Sequence, residues 1–150
     1  MMPGRPALSL KGRALRYLSQ REHSRAELER KLRSHEETPG ELERVLDELA
    51  QRGFIDHGRV AESVLYRRAG KLGALRLRQE LQAKGLEPAV VAQAMESLKG
   101  TELARAREVW ARRFGTPASD AAERARQARF LAARGFDGEV VRKVIRGLED

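Results

Sequence analysis

Leu32 to Leu49 reads LRSHEETPGELERVLDEL, and the same frame returns at Leu81 to Leu98 as LQAKGLEPAVVAQAMESL and at Leu131 to Leu148 as LAARGFDGEVVRKVIRGL. The copies begin 49 and 50 residues apart, and each closes on a leucine seventeen positions after it opens. Between those leucines the apolar positions coincide: Leu42, Val45, Leu46 and Leu49 match Val91, Ala94, Met95 and Leu98, then Val141, Val144, Ile145 and Leu148. Spacings of i, i+3, i+4 and i+7 lay one apolar stripe along a helix. A period near fifty residues marks a tandem-repeat chain.

Each stripe is preceded by helix-start chemistry. Thr38-Pro39-Gly40-Glu41 reads as an N-cap, a proline at the first helical position and a glutamate closing a capping box; Glu87-Pro88 and Asp137-Gly138-Glu139 fill the same frame. The segment before it is also helical, with Leu28 and Leu32, then Leu77 and Leu81, while the third copy has Gln127 and shifts its stripe to Ala128, Leu131 and Ala132. Gly85 and Gly135 read as left-handed residues that end these helices, and Gly70 and Gly73 as further helix stops. Ser24-Arg25-Ala26-Glu27 is another capping box, which forces a turn through Arg21-Glu22-His23 and so requires an earlier helix. That helix carries Ala14, Leu15 and Leu18; its counterparts are Val60, Ala61, Val64 and Leu65, then Ala106, Val109, Trp110 and Phe114.

The expected fold is all-α. It consists of three tandem three-helix repeats, at 10–55, 56–100 and 101–150, after an N-terminal tail at 1–9, with turns at Gly53–Asp56 and Gly100–Thr101. A three-helix unit hides its stripes poorly alone, so neighbouring units should stack into an elongated array, whose curvature the sequence leaves open.

Composition narrows the function. The 150 residues carry 30 Lys+Arg against 22 Asp+Glu, a net charge of +8, and no cysteine. Disulfides, Cys-ligated metals and thiol nucleophiles are thereby excluded, which fits a cytoplasmic protein. No run approaches the roughly 18–20 apolar residues of a membrane span, and Met1 to Leu10 lacks the apolar core of a signal peptide, so a soluble protein is expected. His23, His35 and His57 are scattered without metal-ligand spacing. No Gly-x-x-x-x-Gly-Lys-Ser/Thr loop and no Gly-x-Ser-x-Gly elbow occurs. The carboxylates interleave with arginines at i+3 and i+4, as in Arg76, Glu80 and Lys84, the pattern of a solvated face. The expectation is a protein that is not an enzyme, with no catalytic residue, metal or cofactor.

Cationic clusters remain as the feature that carries chemistry. They are Arg67, Arg68, Lys71, Arg76 and Arg78, then Arg105, Arg107, Arg112 and Arg113, then Arg124, Arg126, Arg129 and Arg134. Net charge is +2 for 1–55 (11 basic, 9 acidic), +3 for 56–100 (8 basic, 5 acidic) and +3 for 101–150 (11 basic, 8 acidic). Taken singly, each arginine reads as a wet helix face or a chain lying over apolar neighbours. As a group, Arg67 to Arg78 straddle a turn at Gly70–Gly73 where guanidiniums could converge on phosphate or carboxylate. The candidate partner- or DNA-binding residues are Arg67, Arg68, Lys71, Arg76, Arg78, Arg105, Arg112, Arg113, Arg124 and Arg126. Tyr17, Tyr66, Trp110, Phe114 and Phe130 fall near apolar stripes and read as core.

Several motifs, taken in order, resemble the RecX family of bacterial recombination regulators. They run Ala14-Leu15-x-x-Leu18, Arg21-Glu22-His23-Ser24-x-x-Glu27-Leu28-x-x-Lys31-Leu32, and Leu46-x-x-Leu49-x-x-x-Gly53-Phe54-Ile55-Asp56. Arg59-Val60-Ala61, Arg67-Arg68, Arg76-Leu77-Arg78-x-Glu80-Leu81-x-x-Lys84-Gly85-Leu86 and Phe130-Leu131-x-x-Arg134-Gly135-Phe136, leading to Val140-Val141, complete the series. The chain departs from the family pattern at Asp56-His57, where two aspartates are common, and at Val60-Ala61, where Phe-Ala is usual.

The resemblance implies tandem three-helix repeats and a non-enzymatic modulator of the RecA recombinase, and the protein is expected to be cytoplasmic and monomeric. Such a protein binds the RecA–DNA filament in its groove and limits filament growth, ATP hydrolysis and strand exchange. DNA is a possible further partner and a membrane is not. Two rivals compete on composition: a general basic nucleic-acid-binding helical repeat, and a scaffold for acidic proteins unrelated to recombination.

Overall fold

The computed structural model describes residues 8–147. Nine α-helices and one short 3-10 turn, with no strand, occur among them. They are α1 (Leu10–Gln20), α2 (Arg25–Leu32), the 3-10 turn (Arg33–His35), α3 (Glu41–Gln51), α4 (His57–Arg68), α5 (Ala74–Ala83), α6 (Pro88–Ser97), α7 (Glu102–Arg113), α8 (Ala121–Ala133) and α9 (Gly138–Gly147). The chain divides into two compact units, Met1–Val60 and Ala61–Asp150, so the division falls within α4. Leu148, the last leucine of the repeat frame, and most of the expected N-terminal tail lie outside the described residues.

In the first unit, Leu10 and Ala14 of α1, Leu28 and Leu32 of α2, Leu42, Leu46 and Leu49 of α3, and Ile55 form one buried cluster. The turn from α1 to α2 spends every residue of Arg21-Glu22-His23-Ser24. Ser24 Oγ accepts from the Glu27 N–H at 3.2 Å while the Glu27 carboxylate accepts from the Ser24 N–H at 3.1 Å, the reciprocal capping box. The second Glu27 oxygen takes the Arg21 guanidinium at 2.7 Å, and Glu22 takes that of Arg59 at 2.9 Å. His23 is buried with Nδ1 at 3.1 Å from the Arg21 carbonyl and Nε2 at 2.8 Å from the Lys31 ammonium. Those partners fit the neutral ring, whose pKa burial holds below the ordinary histidine value, against the raising effect of the Arg21 carbonyl. His57, a departure from the family pattern, accepts from the Arg25 N–H at 3.2 Å and so satisfies an orphan donor in the first turn of α2. Ser24→Ala should cost about 1–2 kcal/mol in urea unfolding of this chain. A loss below about 0.3 kcal/mol would show the box to be idle.

Two expectations about helix starts are corrected. The third helix begins at Glu41 rather than at Pro39, because Gly40 takes a left-handed φ of +83° that cannot lie within a right-handed helix. Pro39 lies in the turn before it, and the Glu36 carboxylate caps the helix by accepting from the Leu42 N–H at 2.9 Å. Gly73 is the N-cap of α5, not a helix stop, with extended backbone at φ −82° and ψ 173°.

In the second unit, Val64, Leu72, Leu77, Leu81, Leu86 and Val91 are buried. So are Ala106, Val109, Trp110, Leu131, Phe136, Val141 and Val144, which form one cluster where α7 and α8 both pack on α9. The expected shift of the α8 stripe is observed only in part: Leu131 is in the cluster and Ala128 packs against it. Ala132 is exposed, whereas Gln127 stays on the buried side with Leu131. Gln127 is tolerated there because its amide is used at both ends, accepting from the Trp110 indole N–H at 2.9 Å and donating to the Thr116 carbonyl at 3.2 Å.

The start of α5 and the end of α8 are joined backbone to backbone. The N–H groups of Gly73 and Leu75 donate to the carbonyls of Arg134 at 2.8 Å and Gly135 at 3.1 Å. The N–H between them, that of Ala74, donates to Glu102 at 3.3 Å, and the same carboxylate oxygen accepts from the Asp137 N–H at 3.2 Å. Donors at the start of one helix thus meet carbonyls at the end of another. The approach needs glycine on both sides. A Cβ on Gly73 would overlap the Gly135 carbonyl and the Phe136 nitrogen, and one on Gly135, at φ +93°, would overlap the Arg76 backbone and side chain.

Candidate docking surface

The basic residues singled out by sequence fall into two groups once their partners are known. Arg68 makes a two-pronged pair with Glu80, at 2.7 and 3.2 Å, which holds its pKa above the ordinary arginine value and ties α4 to α5. Arg76 donates to the Ala133 carbonyl at 2.9 Å, capping α8 beside the glycine contact. Arg105 reaches back from α7 to the end of α4, donating through Nη1 to the carbonyls of Ala69 at 2.8 Å and Leu72 at 2.6 Å and through Nε to the Thr101 hydroxyl at 3.0 Å. Burial pulls its pKa below the ordinary value, with Glu102 opposing. Its Nη2 is buried with no hydrogen-bond partner among the described residues. These three arginines work inside the fold.

The others face solvent. Arg67, Lys71 and Arg78 are exposed and make no ion pair among the described residues; Arg67 donates only to the Ser63 carbonyl of its own helix, at 3.3 Å. Arg78 borders a depression of about 430 Å³ with Lys99, Arg105 and the two carboxylates Glu96 and Glu102. At the turn through Gly70–Gly73, the carbonyls of Ala69 and Leu72 are held by Arg105.

On α7 and α8 the pattern changes. Arg112 pairs loosely with Glu108, at 3.4 Å, and Arg126 makes two 2.9 Å bonds to Glu123. Arg124 is exposed beside Arg142 and Arg146. Arg113 lies over two rings at once, 5.6 Å from Phe114 and 5.4 Å from Phe130.

Sequence reasoning placed Tyr66 in the core, and the structure places it outside, 92% exposed next to Arg67. It also left Arg134 out of the candidate set, although Arg126-x-x-x-Phe130-x-x-x-Arg134 is an i, i+4, i+8 line on one helix face that the sequence displays. Among the described residues no three His, Cys, Asp or Glu side chains come together as a metal site, and no helix is long and apolar enough to cross a membrane.

Comparison with known proteins gives this architecture a family. Models of the first, second and third three-helix domains of RecX match residues 11–49, 56–95 and 101–145. The chain is 56% identical over 146 residues to the Regulatory protein RecX of Leptothrix cholodnii, covering 97% of this chain and 93% of that one. It is 49% identical over 148 residues to the Regulatory protein RecX of Ralstonia nicotianae, covering 99% and 92%. In fold it is similar to the crystal structure of RecX from Lactobacillus salivarius, with a TM-score of 0.76 at 21% identity over 93% of this chain and 94% of that one. Three repeat models in order and relatives this similar over nearly the whole length place the chain in the RecX family of regulatory proteins.

Proposed function

We propose that this RecX-family chain modulates a RecA recombinase by lodging in the groove of the RecA–DNA filament, limiting filament growth, ATP hydrolysis and strand exchange. In this reading it acts as a cytoplasmic monomer and performs no chemistry of its own. The observation that carries the reading is the match to all three RecX domains, in order, across the chain. A regulator of this kind shifts a filament equilibrium only through different affinities for different filament states. Arg67, Lys71 and Arg78 are the favoured docking residues, because they are exposed and leave their charge uncompensated by the fold. Arg68, Arg76 and Arg105 support this surface from within.

The test is RecA's DNA-dependent ATP hydrolysis measured against increasing amounts of this protein. Hydrolysis should fall at substoichiometric to equal amounts. The triple variant Arg67→Glu, Lys71→Glu, Arg78→Glu should need at least about tenfold more protein for the same effect, with helicity unchanged. Absence of any effect across a broad titration would overturn the reading, and an unaltered triple variant would return those residues to solvent.

A further inference from the structure

Phe114 closes α7, Phe130 lies in α8, and their half-buried rings meet edge to face at 5.4 Å between centroids. Three guanidiniums sit on this pair of rings. Arg134 lies 5.0 Å from Phe130, Arg113 lies over both rings, and Arg126 lies 5.9 Å from Phe114. Arg126 on α8 and Arg134 at its C-cap, eight residues apart, are separated by roughly 12 Å, with Arg113 supplied from α7. Beside them an open groove of about 760 Å³ is lined by Arg113, Arg126, Arg129 and Phe114, and its carboxylates, Asp120 and Glu123, stand at the start of α8. Glu123 engages Arg126, whereas Arg113, Arg129 and Arg134 have no carboxylate partner among the described residues.

We infer that this ledge on α7 and α8 is a binding site for the phosphodiester backbone of a single nucleic-acid strand, separate from the α4–α5 surface. The rings beneath Arg113 and Arg134 restrict those guanidiniums without using their N–H groups, so these two side chains lose little further freedom on binding, whereas Arg126 is already held by Glu123. A row of donors drawn from the end of α7 and along α8 suits a chain whose charge repeats. An acidic polypeptide fits less well, because its own backbone N–H and C=O groups would need partners, and two helices whose backbone bonds are internal present none. Phosphodiesters bring acceptors only, matching groups that only donate. With the ring faces covered by arginines, bases have no platform here, so contact is independent of sequence.

The experiment is fluorescence anisotropy of labelled oligothymidylate with the full chain across a salt series. Three or four phosphate contacts give a log–log salt slope of about −2 to −3. Arg113→Gln with Arg134→Gln should weaken binding at least about tenfold and flatten the slope by about 1.4, leaving RecA ATPase modulation in place. Phe130→Leu, which keeps the net charge, should weaken binding severalfold at temperatures where circular dichroism shows it folded. The inference is overturned if the double glutamine variant binds as the parent does, if Arg67→Glu with Lys71→Glu abolishes strand binding equally, or if polyglutamate displaces the strand as readily as unlabelled oligothymidylate. Loss of ATPase modulation with strand binding intact would strike the RecA reading alone.

Discussion

Gly135→Ala should destabilise the Ala61–Asp150 unit by about 3–4 kcal/mol, the largest effect expected of any methyl group added to this chain. Two causes add at this position. The backbone sits at φ +93°, where a side chain is strained, and the new Cβ would run into Arg76, which lies in the first turn of α5. Two other glycines separate the causes. Gly100 has φ +83° and open space around it, so Gly100→Ala should cost only about 1 kcal/mol, the conformational part. Gly73 has an ordinary φ but backs onto the Gly135 carbonyl, so Gly73→Ala should cost about 2–3 kcal/mol through crowding alone. Urea midpoints for the three variants give the order, provided the slopes agree. If Gly135→Ala costs no more than Gly100→Ala, the α5–α8 junction is looser than its hydrogen bonds indicate.

Arg105→Ala should cost about 2–3 kcal/mol, because two inward carbonyls at the end of α4 and the Thr101 hydroxyl lose a charged donor together. Arg105→Lys should recover only part, since one ammonium cannot reproduce the fork that serves the carbonyls and the hydroxyl together. Thermal unfolding reads this directly. Partner binding by Arg105→Ala, measured well below its unfolding temperature, should stay within about twofold of the parent. Parental stability combined with lost binding would instead make Arg105 a contact residue.

The helical plan was legible because its determinants are local. Ser24 with Glu27, Pro88 at a first helical position, and apolar residues at i, i+3, i+4 and i+7 such as Leu42, Val45, Leu46 and Leu49 each act within one or two turns, and each does so in the structure. What escaped depends on neighbours distant in the chain. Ala132 and Gln127 look interchangeable as stripe positions until Trp110, 17 residues away, supplies an N–H that keeps the glutamine inside. Gly73 resembles a helix stop until Gly135 is placed against it. The basic residues were the least legible. Arg67 and Arg68 are adjacent in sequence, yet one faces water and the other is clamped to Glu80, because a helix turns about 100° per residue. Arg76 and Arg105 find their carbonyls 57 and 36 residues away, a distance over which composition carries no information. Tyr66 was misplaced for the same reason: among the described residues no other element covers the face of α4 it occupies, and it is left exposed.

Glu102 uses one oxygen to hold the amide of Ala74 and that of Asp137, groups 63 positions apart along the polypeptide. It follows that these repeats are not interchangeable cassettes. A chain truncated after residue 100 would retain α5 and α6 in full, yet would strip the three leading amides of α5 of every acceptor they now have. Shortening by one module should therefore unravel its predecessor from the front, and any swap of modules between relatives must carry α5, Glu102 and the end of α8 as one inheritance.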